Sequence, residues 1–154
     1  AQLYLDQGWA RKISKEEVLD ILERSQEEGL VLQPDNSQKP TFICSCCSCC
    51  CESLSRYLKM PRPADLTVTN YYAEVDDELC IGCGTCVEIC PMQAIKLKNE
   101  ISTIKIKRCI GCGNCVAKCP EEAIQLRKRE RQFTPFPTMD DLFDKVAERK
   151  ARFN

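Results

Sequence analysis

The chain contains no histidine. A site that uses imidazole as general base, proton shuttle or metal ligand is therefore excluded within it. The Ser-His-Asp and Cys-His nucleophile arrangements go with it, as do Rieske centres and histidine-ligated haem. Aromatic residues make up only 6% of the sequence, and apolar residues reach 44% only with cysteine included. A core of that size gains from a covalent or metal framework. Charge of one sign is missing too: 22 Lys and Arg stand against 23 Asp and Glu, so nothing global attracts nucleic acid or an anionic membrane. No apolar run approaches the roughly 18 to 20 residues that span a bilayer. Ala1 to Arg11 lacks the basic-then-apolar order of a secretory signal.

What the chain has is cysteine, 14 in 154 residues. That leaves a disulfide scaffold or a metal–thiolate protein, and spacing separates them. Along the chain, Ser14 to Glu28 reads as a helix. Ser14 with Glu17 forms a capping-box pattern, Val18, Ile21, Leu22 and Ser25 form one face, and Gly29 stops it. Leu30-Val31-Leu32 reads as a short strand ended by Pro34-Asp35-Asn36. A helix followed by a strand suits a nucleic-acid reader, but residues 1–52 carry nine acidic against five basic groups, the wrong sign for phosphate. Residues 53–75 read as a linker held extended by Pro61 and Pro63, with Tyr71 to Val75 as a strand.

An internal repeat follows. Leu79–Leu97 and Arg108–Leu126, offset by 29, share 12 identities in 19 positions. Each copy is a Cys-rich loop, a helical turn and an apolar strand, Ile95-Lys96-Leu97 in one and Ile124-Gln125-Leu126 in the other; Ile101 to Ile106 alternates as a strand between them. Each loop reads C-x2-C-x2-C-x3-C-P: Cys80, Cys83, Cys86, Cys90 and Pro91, then Cys109, Cys112, Cys115, Cys119 and Pro120. Thiolates are soft donors suited to iron–sulfide clusters. Gly82, Gly84, Gly111 and Gly113 permit close backbone approach, and Ile81, Ile110, Val87 and Val116 are expected to exclude water. Structural zinc joins two separated cysteine pairs, and a disulfide network gives no reason for repeated glycines and prolines, so neither suits these loops.

These residues closely resemble the bacterial-type ferredoxins with two [4Fe-4S] clusters, over about residues 72–127. The resemblance implies an α+β fold of two pseudo-twofold βαβ-like halves around two clusters, and one-electron transfer at low potential. In such runs the fourth cysteine ligates the other cluster. The implied sets are Cys80, Cys83, Cys86 with Cys119, and Cys109, Cys112, Cys115 with Cys90. The expected organisation is then an N-terminal helix–strand segment (1–40), a Cys-rich segment with a proline linker (41–71), the ferredoxin domain (72–127) and a C-terminal extension (128–154). In that extension Met139, Leu142, Phe143, Val146 and Phe153 recur at helical spacing, as a stripe expected to pack on its own domain.

Cys44, Cys46, Cys47, Cys49, Cys50 and Cys51 lie outside that resemblance. The run admits a third iron–sulfur site, zinc or another thiolate-bound metal, or reduced thiols; disulfides within it are strained. With its flanks it resembles the C-terminal part of larger ferredoxin-type proteins of anaerobic prokaryotes, so the chain is expected to be part of a larger protein. The expected function is electron transfer rather than catalysis. The alternatives are the electron-transfer portion of a redox enzyme whose metal centre involves the Cys44–Cys51 run, and a redox or metal sensor. Expected partners are redox proteins, with no nucleic acid and no membrane span, and the expected compartment is the cytoplasm. The basic end, residues 127–154 with eight basic against five acidic groups, suits an acidic partner surface.

Overall fold

A computed structural model describes residues 2–152. Phe153, placed in the C-terminal stripe, and Ala1 lie outside the described residues. The described residues form short helices and three two-stranded antiparallel sheets.

The repeat folds as two β-α-β halves. The first is β3 (Tyr71–Val75), α4 (Thr85–Ile89) and β4 (Ile95–Lys98); the second is β5 (Ile101–Ile104), α5 (Asn114–Ala117) and β6 (Ile124–Lys128). The halves exchange strands. β3 pairs with β6, Val75 opposite Ile124, and β4 pairs with β5, Ile95 opposite Ile104. Each half thus closes its sheet with a strand of the other, and Met92, Ala94, Ile95, Ala123 and Ile124 are buried between them. The β4–β5 turn is tight, with Asn99 and Glu100 both at positive φ (51° and 61°), the twist a two-residue hairpin demands.

Ahead of the repeat, α1 (Gln2–Asp6) and α2 (Lys15–Glu27) precede a hairpin of β1 (Val31–Pro34) and β2 (Ile43–Cys46). The α2 cap is half of the expected box. Ser14 Oγ accepts from the Glu17 amide at 3.2 Å, while the Glu17 carboxylate turns to Arg11. Of the expected α2 face only Ser25 is buried, its hydroxyl 3.1 Å from that of Ser45. The β1–β2 loop is tied by Asp35, which accepts from the Ser37 hydroxyl (2.6 Å) and from the Thr41 amide and hydroxyl (2.6 and 2.7 Å). These bonds hold its carboxyl below the usual range.

Two expectations about the middle of the chain need correction. A boundary at residue 40 would cut the β1–β2 hairpin, and the supposed extended linker contains α3 (Glu52–Lys59). Its Leu54 is fully buried in the common core with Val31, and only the prolines beyond it, with a 3-10 turn at Pro63–Asp65, lack regular pairing. Arg108 fixes α3 to the repeat: its guanidinium donates to the carbonyls of Leu58 (3.0 Å), Met60 (2.7 Å) and Met92 (2.9 Å). Replacing Arg108 with Met leaves those carbonyls without their charged donor, at a cost of about 2 kcal/mol. In the holoprotein the α3 amides are expected to exchange with deuterium about thirtyfold faster, which mass spectrometry reads directly.

The chain then runs back across the N-terminal hairpin, where the Gln38 amide donates to the Phe136 carbonyl at 2.8 Å, and ends in α6 (Met139–Ala151). Thr138 and Asp141 make the reciprocal box that Ser14 and Glu17 do not. The expected packing of the α6 stripe is not found. Phe143 is 61% exposed, Val146 is 45% exposed, and no residue of the helix is buried.

Candidate functional site

The strand exchange has a chemical consequence. One cavity is lined by Cys80, Cys83 and Cys86 of the first loop and by Cys119, with Pro120, from the second. Its counterpart is lined by Cys109, Cys112 and Cys115 of the second loop and by Cys90, with Pro91, from the first. Helices α4 and α5 cause the crossing, because each carries the chain from the third cysteine of a loop to a fourth on the far side. Each cavity is therefore a pocket of four soft donors with apolar walls, a donor set that suits an iron–sulfur cube.

The loops are shaped by backbone contacts that repeat with the same offset. Gly82 has φ +68°, and a Cβ there would stand 2.1 Å from the Glu100 carbonyl oxygen; Gly111, also at +68°, would put one 2.4 Å from that of Tyr71. Amides reach the sulfurs in both halves: Ser102 N to Cys80 Sγ at 3.5 Å, Ala73 N to Cys109 Sγ at 3.4 Å, and Ala94 N to Cys90 Sγ at 3.2 Å. Such donors offset negative charge on cluster thiolates.

The cysteines of the two cavities differ in exposure. In the first, the Ser102 amide holds the Cys80 thiol below its ordinary value, and the Thr85 hydroxyl does the same for the exposed Cys83. Ser102 is itself buried, its hydroxyl 3.1 Å from Cys86 Sγ, although burial raises that thiol. Ile81, expected to exclude water here, is 64% exposed. In the second cavity burial dominates, pushing Cys112 up to about 11 and Cys115 to about 12. A thiolate is costly there unless positive charge accompanies it, and iron supplies that charge.

The second half also carries a long-range contact that the first lacks. The side chain of Asn114, buried at the start of α5, donates to the Gly29 carbonyl at 2.5 Å and pins the α2–β1 corner over this half. The equivalent position of the first loop is Thr85, which bonds to Cys83 instead. Sequence patterns do not single out Asn114, Arg108 or Ser102. The available signal for Asn114 is that it departs from its repeat mate inside an otherwise matched loop. The basic exit segment is also partly spent inside the molecule, since Arg129 donates to the Cys109 carbonyl (2.7 Å) and lies over the Tyr72 ring.

The Cys44–Cys51 run lines neither cavity. Cys44 is exposed on β2, opposite Gln33. Cys46 and Cys51 turn inward and pack against the core. Burial pushes Cys46 up to about 11, while the Leu54 amide lowers Cys51. Cys47, Cys49 and Cys50 gather separately on the outer side, their sulfurs within 4.8 Å of one another. Hydrogen bonding from Cys49 lowers Cys47 to about 7, and the same contact raises Cys49 to about 11.

A family profile described as "4Fe-4S dicluster domain" matches residues 72–120. This segment is a 4Fe-4S dicluster domain. It carries two [4Fe-4S] clusters, the cofactor of single-electron transfer. A second profile of the same description matches residues 108–149. No cysteine follows Cys119, so that match rests on the second loop of the dicluster domain. The chain is 52% identical over 33 residues to a component of the ion-translocating oxidoreductase complex of Methanosarcina acetivorans, covering 21% of this chain and 12% of that protein. It is 54% identical over 33 residues to an iron-sulfur component of the CoB--CoM heterodisulfide reductase of Methanopyrus kandleri, covering 21% and 5%. With Ferredoxin-2 of Desulfomicrobium norvegicum it shares 48% over 29 residues, 19% of this chain and 49% of that one. The chain thus spans less than half the length of each of these relatives. No described helix is long and apolar enough to cross a membrane.

Proposed function

We propose that this chain is a one-electron carrier, one cluster being held by Cys80, Cys83, Cys86 and Cys119 and the other by Cys109, Cys112, Cys115 and Cys90. The observation that carries the reading is the pair of four-cysteine cavities, each drawing three cysteines from one loop and a fourth from the other. The bound clusters accept and return single electrons. The protein's own groups hold the sulfurs in place, donate amides to them and exclude water, more completely in the second half. Exposed Cys83 marks the face where a redox partner approaches, and the partners are taken to be proteins of redox complexes such as those two relatives are named for. Cluster assembly needs reduced thiols, which suits the cytoplasm of an anaerobic prokaryote.

The test is anaerobic purification, metal analysis and electron paramagnetic resonance after stepwise reduction. About eight iron atoms per chain are expected, with reversible bleaching and two interacting spins at full reduction. The first cavity, with exposed Cys83 and Ile81, is expected to take the first electron, because water stabilises the extra negative charge. A chain that holds its iron but cannot be reduced by any low-potential donor would overturn the carrier reading.

A further inference from the structure

The remaining concentration of thiols lies in the turn between β2 and α3. The sulfurs of Cys47, Cys49 and Cys50 are all within 4.8 Å of one another, and those of Cys49 and Cys50 are 3.5 Å apart. Spacing distinguishes the kinds of metal site. Two thiolates on one zinc-sized ion, at a metal–sulfur distance of about 2.3 Å, stand about 3.8 Å apart in a tetrahedron and never more than about 4.6 Å. Thiolates on different irons of a cube stand farther apart, because a metal–metal edge separates their attachment points. The trio therefore has the spacing of a single ion after small side-chain adjustments.

The turn is held at both ends. The ladder pairs Cys46 with Val31, the Cys51 amide donates to the Cys47 carbonyl at 3.1 Å, and α3 begins at Glu52 with its Leu54 buried. Cys49 and Cys50 are exposed and Cys47 is half-buried, so an ion enters from solvent. Cys46 and Cys51 face the core instead, which keeps them out of the trio.

We infer that Cys47, Cys49 and Cys50 bind one thiophilic divalent cation of the zinc class through three thiolates, leaving its fourth position open to solvent. Binding breaks three S–H bonds, releases three protons and forms three metal–sulfur bonds, with no change of oxidation state. An all-thiolate donor set with no imidazole selects soft and borderline ions over magnesium or calcium. This inference stands apart from the electron-transfer reading, since none of its ligands lines either cluster cavity.

The experiment uses the anaerobically purified holoprotein incubated with zinc chloride, freed of excess metal, and analysed for zinc and iron. About one zinc beside about eight iron per chain is expected, with zinc-edge absorption fitting three sulfurs at about 2.3 Å and one lighter neighbour. The triple variant Cys47→Ser, Cys49→Ser, Cys50→Ser is expected to lose zinc at least about tenfold, with iron content and the reduced spectrum unchanged. Cys49→Ser alone, at an exposed position, is expected to lower zinc retention by a similar factor without disturbing the fold. Zinc retained by the triple variant, four sulfurs around the zinc, no zinc bound by the parent, or about twelve iron per chain would each overturn the inference. Failure of the electron-transfer reading would appear separately, as iron below about eight in the parent protein whatever its zinc content.

Discussion

Changing Cys90 to serine is expected to remove the same cluster as changing Cys112 to serine, and Cys119→Ser the same cluster as Cys83→Ser. Each single variant should fall from about eight iron atoms per chain to about four, because a serine hydroxyl is a hard donor and a poor substitute for thiolate. The doubles make the test decisive. Cys90→Ser with Cys112→Ser strikes one cavity twice and should keep about four iron, whereas Cys90→Ser with Cys83→Ser strikes both and should keep almost none. The geometric reason is α4, which separates Cys86 from Cys90 and delivers Cys90 to the cavity of Cys109, Cys112 and Cys115. Iron analysis with spin quantitation reads the outcome. About four iron in the Cys90→Ser, Cys83→Ser double would mean that each loop keeps its own four cysteines.

Gly82→Ala and Gly111→Ala are expected to block cluster assembly in their own halves and to destabilise the fold by about 3 kcal/mol or more. Two effects combine. Both residues sit at φ +68°, where an L side chain costs about 1 to 2 kcal/mol. The new methyl also meets a backbone carbonyl oxygen, at 2.1 Å from Glu100 or 2.4 Å from Tyr71, and neither can swing aside as a side chain would. Glu100 is held in the β4–β5 turn, and Tyr71 opens a strand paired to Lys128. Gly8→Ala provides the control, since Gly8 has φ +70° with nothing within 4 Å of the added carbon. It should cost only about 1 kcal/mol and leave the clusters intact. Holoprotein yield and iron per chain distinguish the three variants. Full iron in the Gly82→Ala protein would show that the loop opens more easily than the geometry allows.

Much of the site is legible because it is written in contiguous residues. The 29-residue offset, the four-cysteine loops and their glycines lie close together in the chain, and each half folds locally from them. The strands Tyr71–Val75 and Ile124–Lys128 follow from alternation and β-branched content in the same way. Helix α3 is hidden because Pro61 and Pro63 dominate the reading of that stretch, although Glu52 to Lys59 before them holds no proline or glycine. The α6 stripe reads as a packed face because periodicity reports that a helix is amphipathic, not what it meets.

The donor chemistry is set by composition and spacing: eight cysteines in two matched loops, six more in a compact run, and no imidazole to join either. Tertiary structure alone decided how those donors are grouped and how wet they are. Strand exchange between β3–β6 and β4–β5 brings the fourth cysteine of each loop to the other cavity. A single side chain, Asn114, reaches 85 positions back to bond Gly29 beside one cavity, while exposed Cys83 leaves the other open. The hairpin and α3 split the six-cysteine run into an inward pair and an outward trio. Contacts of this kind join residues far apart in the chain, and a lone side chain making one long-range bond leaves no periodic trace for a sequence pattern to show.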